Sequence, residues 1–344
     1  MSLKRETRAE IKRYILLHIQ NEDTKLVKKT MDAYGVSKTT VNNYINQLLQ
    51  DGAIIRSSER SARYELVDNP SFFTYSTAKS LEEDRIFQAD IAPLFASVAN
   101  NVFEIWRYSF TEMMNNAIEH AEADKIDVMV SQNVLSSTIL ISDDGVGIFN
   151  KIRDYFSKTE HVGISLDEAV SLLFAGKFTT DHENHTGEGI FFSSKVTDQF
   201  IIYSEGKIFS HDVFDDSFFD AKPTIQDRGT VVLMRLENES KRELSEVMNM
   251  FSNVERGFFR TQLPLSHIFP NAGPVSRSEA RRLAAMISRF EDVTLDFSGV
   301  KTIGQGFTHE LFIVFRRNHP DIHFSCVNMC ESVENMIARV QNTK

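Results

Sequence analysis

Four short stretches decide the reading of this chain. They are Glu112-Met113-Met114-Asn115-Asn116-Ala117-Ile118-Glu119-His120, Asp143-Asp144-Gly145-Val146-Gly147, His185-Thr186-Gly187-Glu188-Gly189-Ile190 and Arg228-Gly229-Thr230. The first lies on a helical pattern, so Glu112 and Asn116, four apart, share one face. The second follows a strand pattern directly. The third leads into a helix, and the fourth opens a strand. Alone, Glu112 and Asn116 read as surface helix residues and Asp143-Asp144-Gly145 as a turn or calcium-like loop. The fixed order and context of all four give the set its meaning.

Outward from these stretches, the 344 residues divide into several units. Ile11, Ile15, Leu16 and Ile19 recur at helical spacing over 4–20. A second helix runs from Thr24 to Tyr34 and ends at Gly35. Ser37 caps a third that carries Val41, Tyr44, Ile45 and Leu48. Residues 53–67 alternate as two short strands around a polar tip. Three helices and a hairpin make a winged helix-turn-helix pattern over 1–68. Asn69-Pro70 marks a boundary, and 69–99 reads as a helical connector in which Pro93 starts or breaks a helix. Strands are expected at 126–130 and 137–142, and 239–257 reads as a polar helical linker. Residues 258–344 read as a small α/β unit with strands at 293–297 and 322–327.

Composition narrows the function classes. Hydrophobic residues are 42% and charged residues 25%, which excludes a disordered chain. No apolar run approaches the ~18 residues of a membrane span. No secretory leader is visible at the start, and two cysteines make no disulfide framework, so a cytoplasmic setting is expected. Residues 1–68 hold 12 Lys+Arg against 9 Asp+Glu, or +3, and the rest carries −13 of the total −10. Contact with duplex DNA is therefore expected at the head alone. Lys38, Thr39, Thr40, Asn42 and Asn43 open the third helix and suit base edges and phosphates in the major groove. Arg56, Arg60 and Arg63 belong to the wing.

Together the four stretches resemble the GHKL, or Bergerat-fold, ATPase superfamily, over about residues 100–238. Its members include DNA gyrase, mismatch-repair ATPases, sensor histidine kinases and anti-sigma-factor serine kinases. The resemblance implies an α/β sandwich binding ATP and Mg²⁺. Asp143 would read the adenine amino group, with Thr230 supporting the base. Gly145 and Gly147 would let the backbone approach base and sugar. Asn116 would hold Mg²⁺, an oxygen-seeking ion. Thr186, Gly187 and Gly189 would cradle phosphates at a helix start. Glu112 stands where hydrolysing and serine-phosphorylating members keep a general base. Residues 150–186 would form a lid, from which Lys177 would reach phosphate. Gly176-Lys177-Phe178-Thr179 lacks the upstream glycine of a P-loop. His120, His182 and His185 match no zinc spacing. Residues 69–108 contain no histidine, which argues against a sensor histidine kinase.

Leu295-Asp296-Phe297-Ser298-Gly299-Val300 resembles the strand and turn of STAS domains, which include anti-anti-sigma factors, over about 258–341. Their phospho-accepting serine is replaced here by Gly306, with Gln305 before it and Thr308 after. An interaction module for a protein partner is expected, and Cys326 and Cys330 read as packing residues.

The expected architecture is thus multidomain α+β: winged helix, GHKL α/β sandwich, small STAS-like α/β domain. The expected function is an ATP-binding, DNA-binding transcriptional regulator, switched by nucleotide binding or slow hydrolysis, with no membrane association and a possible homodimer. The alternatives are an anti-sigma-type serine/threonine kinase acting on a STAS partner and a dimerising gyrase-like ATPase clamp.

Overall fold

The computed structural model describes residues 4–57, 63–159, 163–176, 188–210, 228–253, 255–269 and 273–342. The head follows its periodicity. Helices α1 (Arg5–Gln20), α2 (Leu26–Tyr34) and α3 (Lys38–Gln50) precede an antiparallel pair, β1 (Ile54–Arg56) and β2 (Tyr64–Leu66). Ser37 caps α3, its Oγ accepting the Thr40 N–H at 3.2 Å. Ile11, Ile15, Val41, Ile45 and Leu48 fill the core.

The expected helical connector over 69–99 begins instead with a strand, β3 (Asn69–Ser76). It pairs antiparallel with β4 (Lys125–Gln132), which pairs with β5 (Ser136–Asp143). Phe73 and Tyr75 alternate onto the packed face, a period-two signal obscured by the boundary-like Asn69-Pro70. Proline is tolerated because β3 is an edge. Helical structure starts only at α4 (Glu83–Ile86), continues through a π turn (Phe87–Ile91) and ends in a 3-10 turn (Ala92–Phe95) containing Pro93.

Helix α5 (Asn100–Glu119) then lays Trp106, Phe110, Met113 and Met114 onto the sheet. Next come α6 (Ile148–Thr159), α7 (Leu166–Ala175) and α8 (Gly189–Val196), then β6 (Gln199–Ser204), β7 (Lys207–Ser210) and β8 (Thr230–Glu237). The antiparallel sheet has the order β3-β4-β5-β8-β6-β7. Helices on one face and an antiparallel sheet on the other make the expected sandwich.

Residues 239–257 are not a free linker. They form α9 (Leu244–Phe251) and a small pair, β9 (Ser252–Asn253) with β10 (Gly257–Phe258). Polar outer positions hide the apolar stripe of Leu244, Val247, Met248 and Phe251, and the Phe251 ring lies 5.0 Å from that of Phe191.

The C-terminal unit is a parallel sheet, β11 (Arg260–Pro264), β12 (Asp292–Asp296) and β13 (His323–Val327). β11, five residues ending in proline, was not expected. Around the sheet lie α10 (Leu265–Ile268), α11 (Arg277–Ile287), α12 (Gln305–His309), a π turn (Glu310–Phe315), α13 (Arg316–Asn318) and α14 (Glu331–Asn342). No described helix is long and apolar enough to cross a membrane.

Both flanking units dock on the central one. Leu135, in the β4–β5 turn, is buried in the head core. Arg13 pairs with Glu237 at 2.8 Å and with Glu239, and Asn133 donates to Asp68 at 2.8 Å. On the other side the Thr261 hydroxyl donates to the Ala175 carbonyl at 2.8 Å, and Arg282 pairs with Glu168 at 3.0 Å. Phe258 inserts between the units, 4.7 Å from Phe191, 5.3 Å from Phe192 and 5.2 Å from Phe290. Helix α7, inside the expected lid, is therefore packed against the C-terminal unit.

Lys195 on α8 points its ammonium toward this seam, 5.5 Å from the Phe191 ring centre. Burial pushes it down to about 8, opposed by the Asp296 carboxylate. In the unfolded chain a lysine titrates near ~10.4. The folded state therefore holds this proton more weakly. The cost of the buried charge is present in full below pH 8 and is relieved as pH rises from 8 toward ~10.4. Lys195→Met is expected to raise the melting temperature at pH 7 by about 2–4 °C, with the gain fading above pH 8. A less stable variant at pH 7 would mean that the attraction to Asp296 outweighs desolvation.

Candidate nucleotide site

A cavity of ≈ 360 Å³ opens between α5, the ends of β5 and β8, and the starts of α6 and α8. Glu112, Asn116, Asp143, Gly147, Gly189 and Thr230, all expected at one site, line it together. They come from α5, β5, α8, β8 and the loop before α6, so tertiary folding alone brings them together.

Asp143 ends β5 with its carboxylate buried at the cavity floor. Oδ1 accepts the N–H of Gly145 at 3.0 Å and that of Thr230 at 3.2 Å. Burial pushes its pKa up to about 6; the two N–H donors pull the other way, and Asp144 and Glu205 add to the rise. Those bonds fix the carboxylate in one orientation. The Thr230 Oγ1 accepts the first N–H of α6, from Ile148, at 3.1 Å. Thr230 thus ties the floor to the helix above it.

The glycines serve the chain's own packing first. A Cβ on Gly145 would lie 2.0 Å from the Ala121 carbonyl, and Gly145 does not line the cavity. On its Cβ side Gly145 packs closely against the chain just after α5. Gly147 lines the cavity, with φ +84°, and a Cβ there would run into the Glu205 carboxylate. Glu205 is a carboxylate the sequence reading missed; it sits in the β6–β7 turn beside the start of α6.

Glu112 lies against the first turn of α8. A Cβ on Gly189 would fall 2.0 Å from its Oε2. The positive end of the helix favours the carboxylate there. Tyr108, one turn earlier on α5, faces the same region. Its hydroxyl is held far above the usual range by burial and by Glu112 and Glu188. Tyr108 was not singled out in the sequence; its place four residues before Glu112 was the available signal. Asn115, Glu188, Glu83 and His120 also line the cavity.

Charge bears on what fits. Glu83, Glu112, Asp143 and Glu188 line the cavity, and Lys151 is the one lysine or arginine among the described lining residues. Lys151 itself pairs with Glu122. A triphosphate placed here needs a cation to offset this field. Asn116, on the cavity wall, carries an amide oxygen, a hard-oxygen donor suited to Mg²⁺. The donor set therefore fits Mg-ATP. Lys177, Thr186, Gly187, His182 and His185 lie outside the described residues.

In the head, Lys38, Thr39, Asn42 and Asn43 are exposed on α3 and Thr40 is half-buried. Arg56 ends β1 and Arg63 precedes β2, both exposed; Arg60 lies outside the described residues.

In the C-terminal unit, Gly306 lies in the first turn of α12. Thr308, the nearest hydroxyl, is wholly buried and donates to the Gly304 carbonyl at 2.8 Å. Asp296 Oδ1 accepts from the Ser298 N–H and from Asn328 Nδ2, both at 2.9 Å. Cys326 is partly buried, its thiol pushed up to about 11 by burial.

Comparison with known families agrees with this layout. Residues 106–240 match the family described as histidine kinase-, DNA gyrase B-, and HSP90-like ATPase. Residues 279–334 match a STAS-like domain of unknown function, DUF4325. No curated protein matches the chain. A GHKL ATPase domain and a STAS-like domain are therefore present, and domains of the first kind generally bind ATP with Mg²⁺.

Proposed function

We propose that this protein is an ATP-responsive DNA-binding regulator, in which the nucleotide state of the GHKL domain sets how the head engages duplex DNA. One observation carries the reading. The two strands that end at the cavity floor reach the head at their other ends. β5 runs from Asp143 back to Ser136, next to Leu135, which is buried in the head core. β8 runs from Thr230 to Glu237, paired with Arg13 of α1. A shift at the floor is transmitted along strands whose far ends the head grips.

The head has the helix order and hairpin of a winged helix, with polar and basic side chains exposed on α3 and the wing. Asp143 and Thr230 hold the base, Asn116 the metal ion, and α8 the phosphates. The metal ion would offset charge on the phosphates. Glu112 would accept a proton from water, so slow hydrolysis would reset the state. The C-terminal domain grips α7 and supplies a surface for a protein partner.

Fluorescence anisotropy on a selected duplex tests this reading with no nucleotide, with ADP and with a non-hydrolysable ATP analogue. Affinity is expected to differ at least fivefold between states, the lower bound of ordinary allosteric coupling, about 1 kcal/mol. Lys38→Ala with Arg56→Ala should weaken binding to every sequence and flatten its salt dependence, whereas Asn42→Ala should alter sequence preference. Equal affinity in all three states would remove the coupling. Absence of salt-sensitive binding to any duplex would make the head a protein-contact module.

A further inference from the structure

The edge of the large sheet carries an inference independent of the nucleotide. β3 is eight residues long, Asn69-Pro70-Ser71-Phe72-Phe73-Thr74-Tyr75-Ser76, and contains no charged residue. Exposed sheet edges are normally guarded by charge, because alternate residues turn unpaired N–H and C=O groups outward. The opposite edge, β7, has Lys207 as its first residue. Among the described strands β3 pairs with β4 alone, and besides that ladder the backbone bond given to Asn69–Ser76 is at its very end, from the Lys79 N–H to the Ser76 carbonyl at 3.4 Å.

The side chains repeat the message. Phe72 is 72% exposed, the most exposed large apolar side chain described. It begins a cross-strand row on the face away from α5. The register aligns Phe72 with Met129, Met129 with Leu140, Leu140 with Leu233, and Leu233 with Ile201. This row fades from buried at Leu233 and Ile201 to open at Phe72. An apolar row that ends exposed on an unguarded edge is unfinished as it stands.

We propose that β3 is a homodimer interface, pairing antiparallel with β3 of a second copy so that two sheets join into one of twelve strands. A second copy is the occupant that the chemistry favours. An antiparallel edge is complementary to itself under a two-fold axis, and a charge-free strand meets its copy without repulsion, although each chain carries −10. Side chains on one face must pair with side chains on that face. The register centred on Phe72 meets this rule. It sets Phe72 against its counterpart, Pro70 against Thr74 and Ser71 against Phe73. The two apolar rows then join end to end. Eight residues of edge make a small interface, so the dimer dissociates in the micromolar range. The axis also relates the two heads by two-fold symmetry.

Sedimentation equilibrium of the full chain without nucleotide, from micromolar to hundreds of micromolar, tests the proposal. The wild type is expected to be a reversible dimer. Phe72→Lys with Thr74→Lys should weaken it by roughly 100-fold, because the aromatic pair at the centre is lost and like charges face each other. Val134→Lys, exposed but in the β4–β5 turn, should leave it unchanged. Circular dichroism should show both variants folded. With Cys326 and Cys330 replaced by serine, Phe72→Cys should cross-link on oxidation and Thr74→Cys should not. A monomeric wild type throughout the range overturns the proposal. So does a dimer indifferent to the double lysine variant, and cross-linking of Thr74→Cys alone overturns the register.

Discussion

Asp143→Asn is expected to weaken Mg-ATP binding by about 10- to 100-fold while raising the melting temperature of the nucleotide-free protein at pH 7. Both effects have one cause. Asparagine keeps an oxygen for the Gly145 and Thr230 N–H groups, so the loop holds. Its amide then turns a donor toward an adenine amino group that is itself a donor. Stability moves the other way because the native carboxylate is buried, and burial pushes it up to about 6. An unfolded aspartate titrates near ~3.9. The folded state holds this proton more tightly, so stability from this group falls as pH rises from ~4 through 6 and the penalty is complete above pH 6. The uncharged amide removes that penalty. The same shift makes wild-type nucleotide affinity drop as pH falls below 6, where the acceptor becomes protonated. Calorimetry and thermal melting of wild type and variant read both arms. Unchanged affinity in the variant would remove Asp143 from base recognition.

The second large effect is on turnover. Glu112→Ala is expected to lower phosphate release by about 100-fold or more, with ATP affinity within a few-fold of wild type. Glu112 sits against Gly189, at the helix start proposed to hold the phosphates, and not at the floor proposed to hold the base. Its loss removes a proton acceptor and leaves Asp143, Asn116 and Thr230 in place. Phosphate release at saturating Mg-ATP separates this from a binding defect. Equal fractional losses in affinity and turnover would recast Glu112 as a prop for α8. In the C-terminal domain no stable phosphate is expected: Gly306 has no hydroxyl and Thr308 is buried and bonded.

Much of this was legible in the sequence, and the gaps have physical reasons. α1, α2, α3 and α5 follow from apolar spacing and from Ser37 as a cap, because a helix records its buried face locally. That Glu112, Asn116, Asp143 and Thr230 meet at one cavity was readable, because each sits at the end of an element or on one helix face. β3 was not, because a short edge strand opening on Asn-Pro carries the punctuation of a boundary. β11 was missed for its length and its proline. Why Gly145 must be glycine was not readable, because a glycine in a site loop reads the same whether ligand or chain crowds it; an added Cβ would lie 2.0 Å from the Ala121 carbonyl. Lys151 lines the cavity, and Tyr108 and Glu205 lie beside its walls, through tertiary contacts that no local pattern records. The grip of the head on Leu135 and Glu237 is invisible for the same reason.

Amide hydrogen exchange of the intact protein, with and without Mg²⁺ and a non-hydrolysable ATP analogue, tests the central claim most directly. The account predicts slowed exchange over the end of α5, over Asp143–Phe149 and at the start of α8, together with altered exchange in α1 and α3 of the head. Neither change should appear in Asp143→Asn at the same analogue concentration. Slowed exchange at the cavity with an unaltered head would contradict the coupling, and protection away from these segments would contradict the site.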